Sequence, residues 1–207
     1  MRPDARRIRG LAAATSLAVA LLIAPAAVPL SAAPVMPVAS AACPDVELVF
    51  ARGRQEPPGA GQIGNALADS LRSKTPKAVE VYGVNYPADV DTASGAADIR
   101  AHVRSMAASC PNTRMVIGGY SLGATAADLA ARASLPDVDR HIAAVALFGN
   151  ATYRLGPAPG FAGRTVDQCA NGDPICGKGF DWPSHLQPSY LGSGLIDQAA
   201  SYIAGRL

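Results

Sequence analysis

Short apolar runs alternate with amphipathic stretches along most of this chain, and that alternation limits the folds open to it. The runs at 46–51 (VELVFA), 79–86 (VEVYGVNY), 114–119 (RMVIGG) and 142–149 (IAAVALFG) are rich in β-branched residues and bounded by Gly, Pro or Asn. They read as buried strands. Between them, 61–74, 92–109 and 124–133 place apolar residues at intervals of three and four, as in Ile63, Leu67 and Leu71, and read as helices. A last helix is expected over 195–203. Strands apolar on both faces and separated by helices argue for an α/β fold, with a parallel sheet covered by helices on each side.

The first forty residues stand apart. Arg2, Arg6, Arg7 and Arg9 precede the apolar run 11–24, and small-residue clusters come later at 31–33 and 39–41. This is the build of a secretory signal peptide, with cleavage expected after Ala41. The apolar run is shorter than the roughly 20 residues a membrane-spanning helix needs, and Pro25 and Pro29 break the stretch beyond it. The expected organisation is a signal peptide at 1–41, one domain at 42–207, a secreted mature protein and no membrane span after cleavage. The leader holds four of the 18 basic residues and one of the 16 acidic ones, so the mature chain carries 14 against 15 and a net charge of −1. Without a basic run to hold phosphates, a nucleic-acid partner is not expected.

All four cysteines, Cys43, Cys110, Cys169 and Cys176, lie in the mature part. Export to an oxidising compartment favours disulfides, and three pairings are open. Proximity in sequence favours Cys169 with Cys176, which leaves Cys43 for Cys110. There is no C-x-x-C spacing, and the only histidines are His102, His141 and His185, so no zinc site is expected.

The segment 115–124 reads MVIGGYSLGA and contains G-x-S-x-G around Ser121. The pattern alone is weak, but here it joins a buried strand to an alanine-rich helix, the setting a nucleophile elbow requires. A sharp turn strains the serine backbone and crowds its flanks, which calls for Gly119 and Gly123. In such folds the base and its acid come after the serine in the chain. Of the two later histidines, His141 opens a strand and belongs at the opposite edge of the sheet, as a solvated or capping residue. His185, in a late loop, is the expected base. Asp173 sits inside CANGDPIC, where a cystine would hold it still, and is preferred as the acid over Asp167 at the end of a candidate strand RTVD.

FARGRQEPPG near the N-terminus, GGYSLGA at the elbow, CANGDPIC and HLQPSY, taken in order, resemble the four signature regions of the cutinase family, a branch of the α/β-hydrolase fold. The resemblance spans essentially all of 43–207. It implies a three-layer sandwich around a five-stranded parallel sheet without a large lid, a Ser121–His185–Asp173 triad, and disulfides Cys43–Cys110 and Cys169–Cys176. It also implies an oxyanion hole formed by the backbone amides of Arg54 and Leu122. Family members usually carry a hydroxyl residue where Arg54 stands, and many carry Gln in place of Leu122. Losing a supplementary donor of that kind costs on the order of 3 kcal/mol of transition-state stabilisation. Asn85 matches an asparagine that steadies the hole in relatives.

The expected activity is hydrolysis of carboxylic esters, whether cutin-type polyester, short to medium acyl esters or lipids, by a monomer that uses neither metal nor cofactor. Phe180, Trp182, Tyr86 and Pro87 are candidates to grip an acyl chain. Two other readings fit the same residues: an envelope-lipid acyltransferase with the same triad, and a secreted hydrolase-like module that binds without catalysing.

Overall fold

The computed structural model describes residues 43–133 and 136–207; the expected leader lies outside them. Five strands, β1 (Val46–Ala51), β2 (Val79–Gly83), β3 (Arg114–Tyr120), β4 (Ile142–Phe148) and β5 (Thr165–Gln168), form one parallel sheet in the order β2-β1-β3-β4-β5. Every residue of β1 and of β4 is buried, which is why these runs read as continuously apolar rather than alternating.

Helices α1 (Gly61–Arg72) and α5 (Leu195–Ala204) cover one face of the sheet. Ile63, Leu67 and Leu71 of α1 pack there with Phe50, Phe148 and Ile203. Helices α2 (Thr92–Ser109) and α3 (Leu122–Arg132) cover the other, where Ile99 and Val103 meet Val49, Ile117 and Val145. The result is the three-layer sandwich that the alternation implied. Asp91 caps α2 by accepting from the amides of Ala93 and Ser94. A short helix, α4 (Gln187–Gly192), with Pro188 in its first turn, carries no sequence signal long enough to read. The second strand stops at Gly83, three residues earlier than its sequence pattern suggests. Val84 and Tyr86 are nevertheless buried, because they floor the loop that comes after β1.

The disulfides are Cys43–Cys110 and Cys169–Cys176. The first ties the start of the described chain to the end of α2. His141 lies at the amino edge of the sheet as expected, but it is buried rather than solvated, in a 3-10 turn that leads into β4. Among the described residues no helix is long and apolar enough to cross a membrane.

The strand order reverses direction between β1 and β3: the chain leaves β1 toward β2 and leaves β3 toward β4. The loops beyond the carboxyl ends of these two central strands therefore diverge and leave a crevice, the usual place for a ligand in an open parallel sheet. The loop carrying Arg54 comes directly after β1, and Ser121 directly after β3. No inserted domain among the described residues covers this edge.

Ser121 has φ +54° and ψ −116°, a strained conformation for a residue with a side chain. Its flanking glycines are required by backbone rather than by side chains. A Cβ on Gly123 would lie 2.0 Å from the Ala51 carbonyl oxygen, and one on Gly119 would lie 2.2 Å from the Gly123 oxygen. Gly123→Ala is therefore expected to lower stability by about 3 kcal/mol. Urea denaturation checks this, and a variant within about 1 kcal/mol of the parent would contradict the close approach.

Candidate active site

Ser121 Oγ lies 2.8 Å from His185 Nε2, and His185 Nδ1 lies 2.8 Å from Asp173 Oδ2. The three side chains come from three separate segments. The elbow supplies the serine, the cystine loop after β5 the aspartate, and a 3-10 turn at Trp182–His185 the histidine. Asp173 is fully buried and His185 is 4% exposed, so water reaches this chain of side chains only from the serine end.

The carboxylate of Asp173 is held from four directions. Its Oδ1 accepts from the amide of Ile175 at 2.7 Å and more weakly from Cys176 at 3.4 Å, while Oδ2 accepts from His185 and from the Tyr190 hydroxyl at 2.6 Å. Burial alone would raise its pKa, but these donors outweigh burial and hold it below the ordinary carboxylate value. The cystine closes the loop around it, and the Asp181 amide donates to the Gly172 carbonyl, so the aspartate loop and the histidine turn are joined directly. The histidine backbone is held in turn, because the Tyr120 hydroxyl donates to the His185 carbonyl. Cys169, Asp173 and Cys176 lie close together, but both sulfurs are bonded to each other and offer no thiolate to a metal.

Asp167 is not part of this hydrogen-bonded line. It shares its register on β5 with Leu147, which belongs to the core under α2 and α3, and its Oδ2 accepts from Asn150. Burial, opposed by the Asn150 hydrogen bond and reinforced by the nearby Asp128, pushes its carboxyl up to about 6.

The groups that brace the loop after β1 carry no local sequence signal. Arg52 is buried, and its guanidinium donates to three carbonyls, those of Glu56 (2.8 Å), Val84 (3.2 Å) and Tyr86 (2.7 Å). The Glu56 carboxylate accepts from the amides of Gly53 and Gln62. These bonds, with Gln55 N–H to Ala88 O at 2.8 Å, fix the backbone on both sides of Arg54. Asn85, matched to an asparagine that steadies the oxyanion hole in relatives, is exposed, and among the described residues only its backbone amide is engaged, with Asp98. Tyr86 is also no acyl grip: it is buried and donates to the Arg52 carbonyl. Tyr190 was visible in HLQPSY, but its residue type says nothing of the carboxylate it meets.

The Leu122 amide opens α3, where helix geometry leaves it without an intrahelical acceptor. Neither it nor the Arg54 amide donates to a protein acceptor among the described residues. A cleft of about 260 Å³ is lined by Arg54, Gln55, Ser121, Trp182, Leu186 and Gln187, with Tyr120 and His185 at its base. Trp182 is 55% exposed, and its ring lies 5.3 Å from that of His185.

Residues 42–207 match the family model described as Cutinase. The chain belongs to the cutinase family. It is 48% identical to a Mycobacterium tuberculosis protein named probable carboxylesterase Culp2, over 95% of this chain and 94% of that one. It is 44% identical to the phospholipase Culp4 of the same organism, over 98% and 93% of the two chains. Among solved structures, Trichoderma reesei cutinase in complex with a phosphonate inhibitor superposes with a TM-score of 0.68 at 32% identity, over 79% of this chain and 76% of that one.

Two acidic groups of this cutinase-family member, the half-buried Asp167 and the buried Asp173, give its stability opposite dependences on pH. Asp167 has a folded pKa raised above its unfolded value, so its contribution is favourable below about pH 4 and is lost as pH rises through about 6. Asp167→Asn keeps an amide oxygen for Asn150 and carries no charge. It is expected to gain about 2 kcal/mol at pH 8 and to abolish the fall in stability between pH 4 and 6, as read by urea titrations across that range. Tyr190→Phe has the opposite sign. The hydroxyl helps depress the Asp173 pKa, so the stability it contributes is present above about pH 4 and fades as pH falls through the lower folded value. A loss of about 2 kcal/mol at pH 7 that shrinks in acid is expected from the same measurement, with kcat lowered about tenfold.

Proposed function

We propose that this carboxylic ester hydrolase works through Ser121 as nucleophile, His185 as general base and Asp173 as the acid that orients it. The observation that supports this reading most directly is the unbroken line of hydrogen bonds from Ser121 Oγ through both imidazole nitrogens to a buried carboxylate. His185 Nε2 takes the hydroxyl proton as Oγ attacks the ester carbonyl. Asp173 accepts the Nδ1 proton in a hydrogen bond, selects the tautomer that leaves Nε2 free to act as base, and stabilises the imidazolium that forms.

The tetrahedral oxyanion is received by the amides of Arg54 and Leu122, the second at the positive end of α3. Collapse expels the alcohol, which takes its proton from His185. Water then attacks the acyl-enzyme with His185 again as base. The cleft opens to solvent beside Trp182, so water reaches the acyl-enzyme without any movement of the chain.

The substrates we infer are esters with an apolar acyl part, from short acyl esters to lipids or cutin-type polyester. Phe180 is 99% exposed and Leu186 40% exposed, next to Trp182 on the histidine loop, and an exposed apolar rim of this kind suits an acyl chain. The leader sequence and the two disulfides support a secreted enzyme whose catalytic domain is 42–207.

A panel of p-nitrophenyl esters from acetate to palmitate, together with a fluorophosphonate probe, tests the reading. Wild type is expected to hydrolyse the panel and to label, while Ser121→Ala loses labelling and at least about 10⁴-fold in kcat. A folded wild-type protein that neither labels nor turns over would show a binding module instead.

A further inference from the structure

We propose that Arg54 makes the site selective for esters that carry a negative group a few bonds from the scissile carbonyl. The proposal rests on the esterase reading and names the substrate class of the same site. Of the described residues lining the cleft, Arg54 alone carries a permanent charge; its neighbours there include Gln55, Trp182, His185, Leu186 and Gln187. The Asp173 carboxylate is sealed behind the imidazole, so it does not neutralise the mouth.

The root of this cation is fixed while its tip is free. Gln55 N–H to Ala88 O, Glu56 N–H to Gly53 O and the Arg52 guanidinium hold the backbone on both sides, yet Arg54 itself is exposed. Among the described residues no carboxylate forms an ion pair with it. The backbone amides of Asp91 and Val90, both bonded to Oδ1, hold the Asp89 carboxyl on the neighbouring loop below its ordinary value, and Arg54 adds a weaker through-space attraction without forming an ion pair with it.

A guanidinium presents paired donors that match a carboxylate or a phosphate, and it is weakly hydrated, so it gives up water readily for such a group. The apolar surfaces of Trp182 and Leu186 in the same cleft displace water and strengthen the field there. An acyl chain resting on those two side chains leaves the charged end of the substrate to Arg54. A carboxylate on the acyl side and a phosphate on the alcohol side share this chemistry.

The experiment compares two matched substrate pairs at low salt. The first is p-nitrophenyl hemiglutarate against p-nitrophenyl valerate, and the second is dihexanoylphosphatidylglycerol against dihexanoylglycerol, read by acid release. The quantity measured is the ratio of kcat/KM for the charged and neutral member of each pair, in wild type, Arg54→Ser, Arg54→Lys and Arg54→Glu, with thermal melts to check folding. In at least one pair the ratio is expected to fall about tenfold in Arg54→Ser, to survive in Arg54→Lys, to drop further in Arg54→Glu, and to shrink in about 0.5 M salt where a cation is present at this position. The pair that responds tells which side of the ester bears the charge.

Ratios that stay constant in both pairs overturn the proposal. A loss common to charged and neutral esters also overturns it and assigns the guanidinium to the oxyanion instead. If wild type hydrolyses none of the four, the esterase reading itself falls and takes this inference with it; hydrolysis of the neutral members with constant ratios removes the inference alone.

Discussion

The close approach of Gly123 to the carbonyls of Ala51 and Arg52 is the contact on which the site depends. It presses the first turn of α3 against the end of β1, in the space that a single methyl group would fill. Because β1 and β3 are neighbours in a parallel sheet, the two turns leave the same edge side by side. Ser121 on one turn and the Arg54 amide on the other are brought together by sheet register and by the absence of side chains, before any interaction between functional groups is considered.

Around that contact the protein uses buried polar groups that are fully engaged. Arg52 places a charge in the interior but satisfies it with three carbonyls, and Glu56 closes the same loop from the other side. Asp173 is likewise buried and held by donors on both oxygens. Leaving one partner of such a group unmatched is strongly unfavourable, so these networks specify one loop conformation where apolar packing would tolerate several. The strain at Ser121 is sustained by the same rigidity: its amide donates to Phe148 O and its carbonyl accepts from Thr125 N. A positive φ at a serine persists because the strand before it and the helix after it are both packed.

The contrast between Asp167 and Asp173 shows what kind of information each site residue needs. Both aspartates lie near His185 in sequence, and both fall in or beside strand-like segments. Asp167 is carried by β5 at the register of Leu147 and faces the α2–α3 core, whereas Asp173 is turned back by a cystine loop toward the histidine. The short span between the two cysteines singled out the aspartate that the fold brings to His185. For Asn85 no comparable constraint existed: its side chain is exposed, while Arg52 and Glu56 brace the loop. His141, expected at the far edge of the sheet as a solvated or capping residue, lies at that edge but is buried, since the end of a strand does not reveal what packs over it.

The sequence by itself determined the layered α/β architecture and the pairing of the cysteines nearest each other, and it pointed to the serine, histidine and aspartate that the fold brings together. These depend on local periodicity, on turn chemistry and on short spacings, all of which are written in neighbouring residues. Only the tertiary structure decided which hydroxyl supports Asp173, which buried cation braces the loop after β1, and that Arg54 is, among the described residues lining the cleft, the one with a permanent charge. Those relations join residues from separate elements: Tyr190 lies 17 positions from Asp173, and Arg52 lies 34 from Tyr86. Whether such groups meet is set by sheet order and helix packing, which no local pattern encodes.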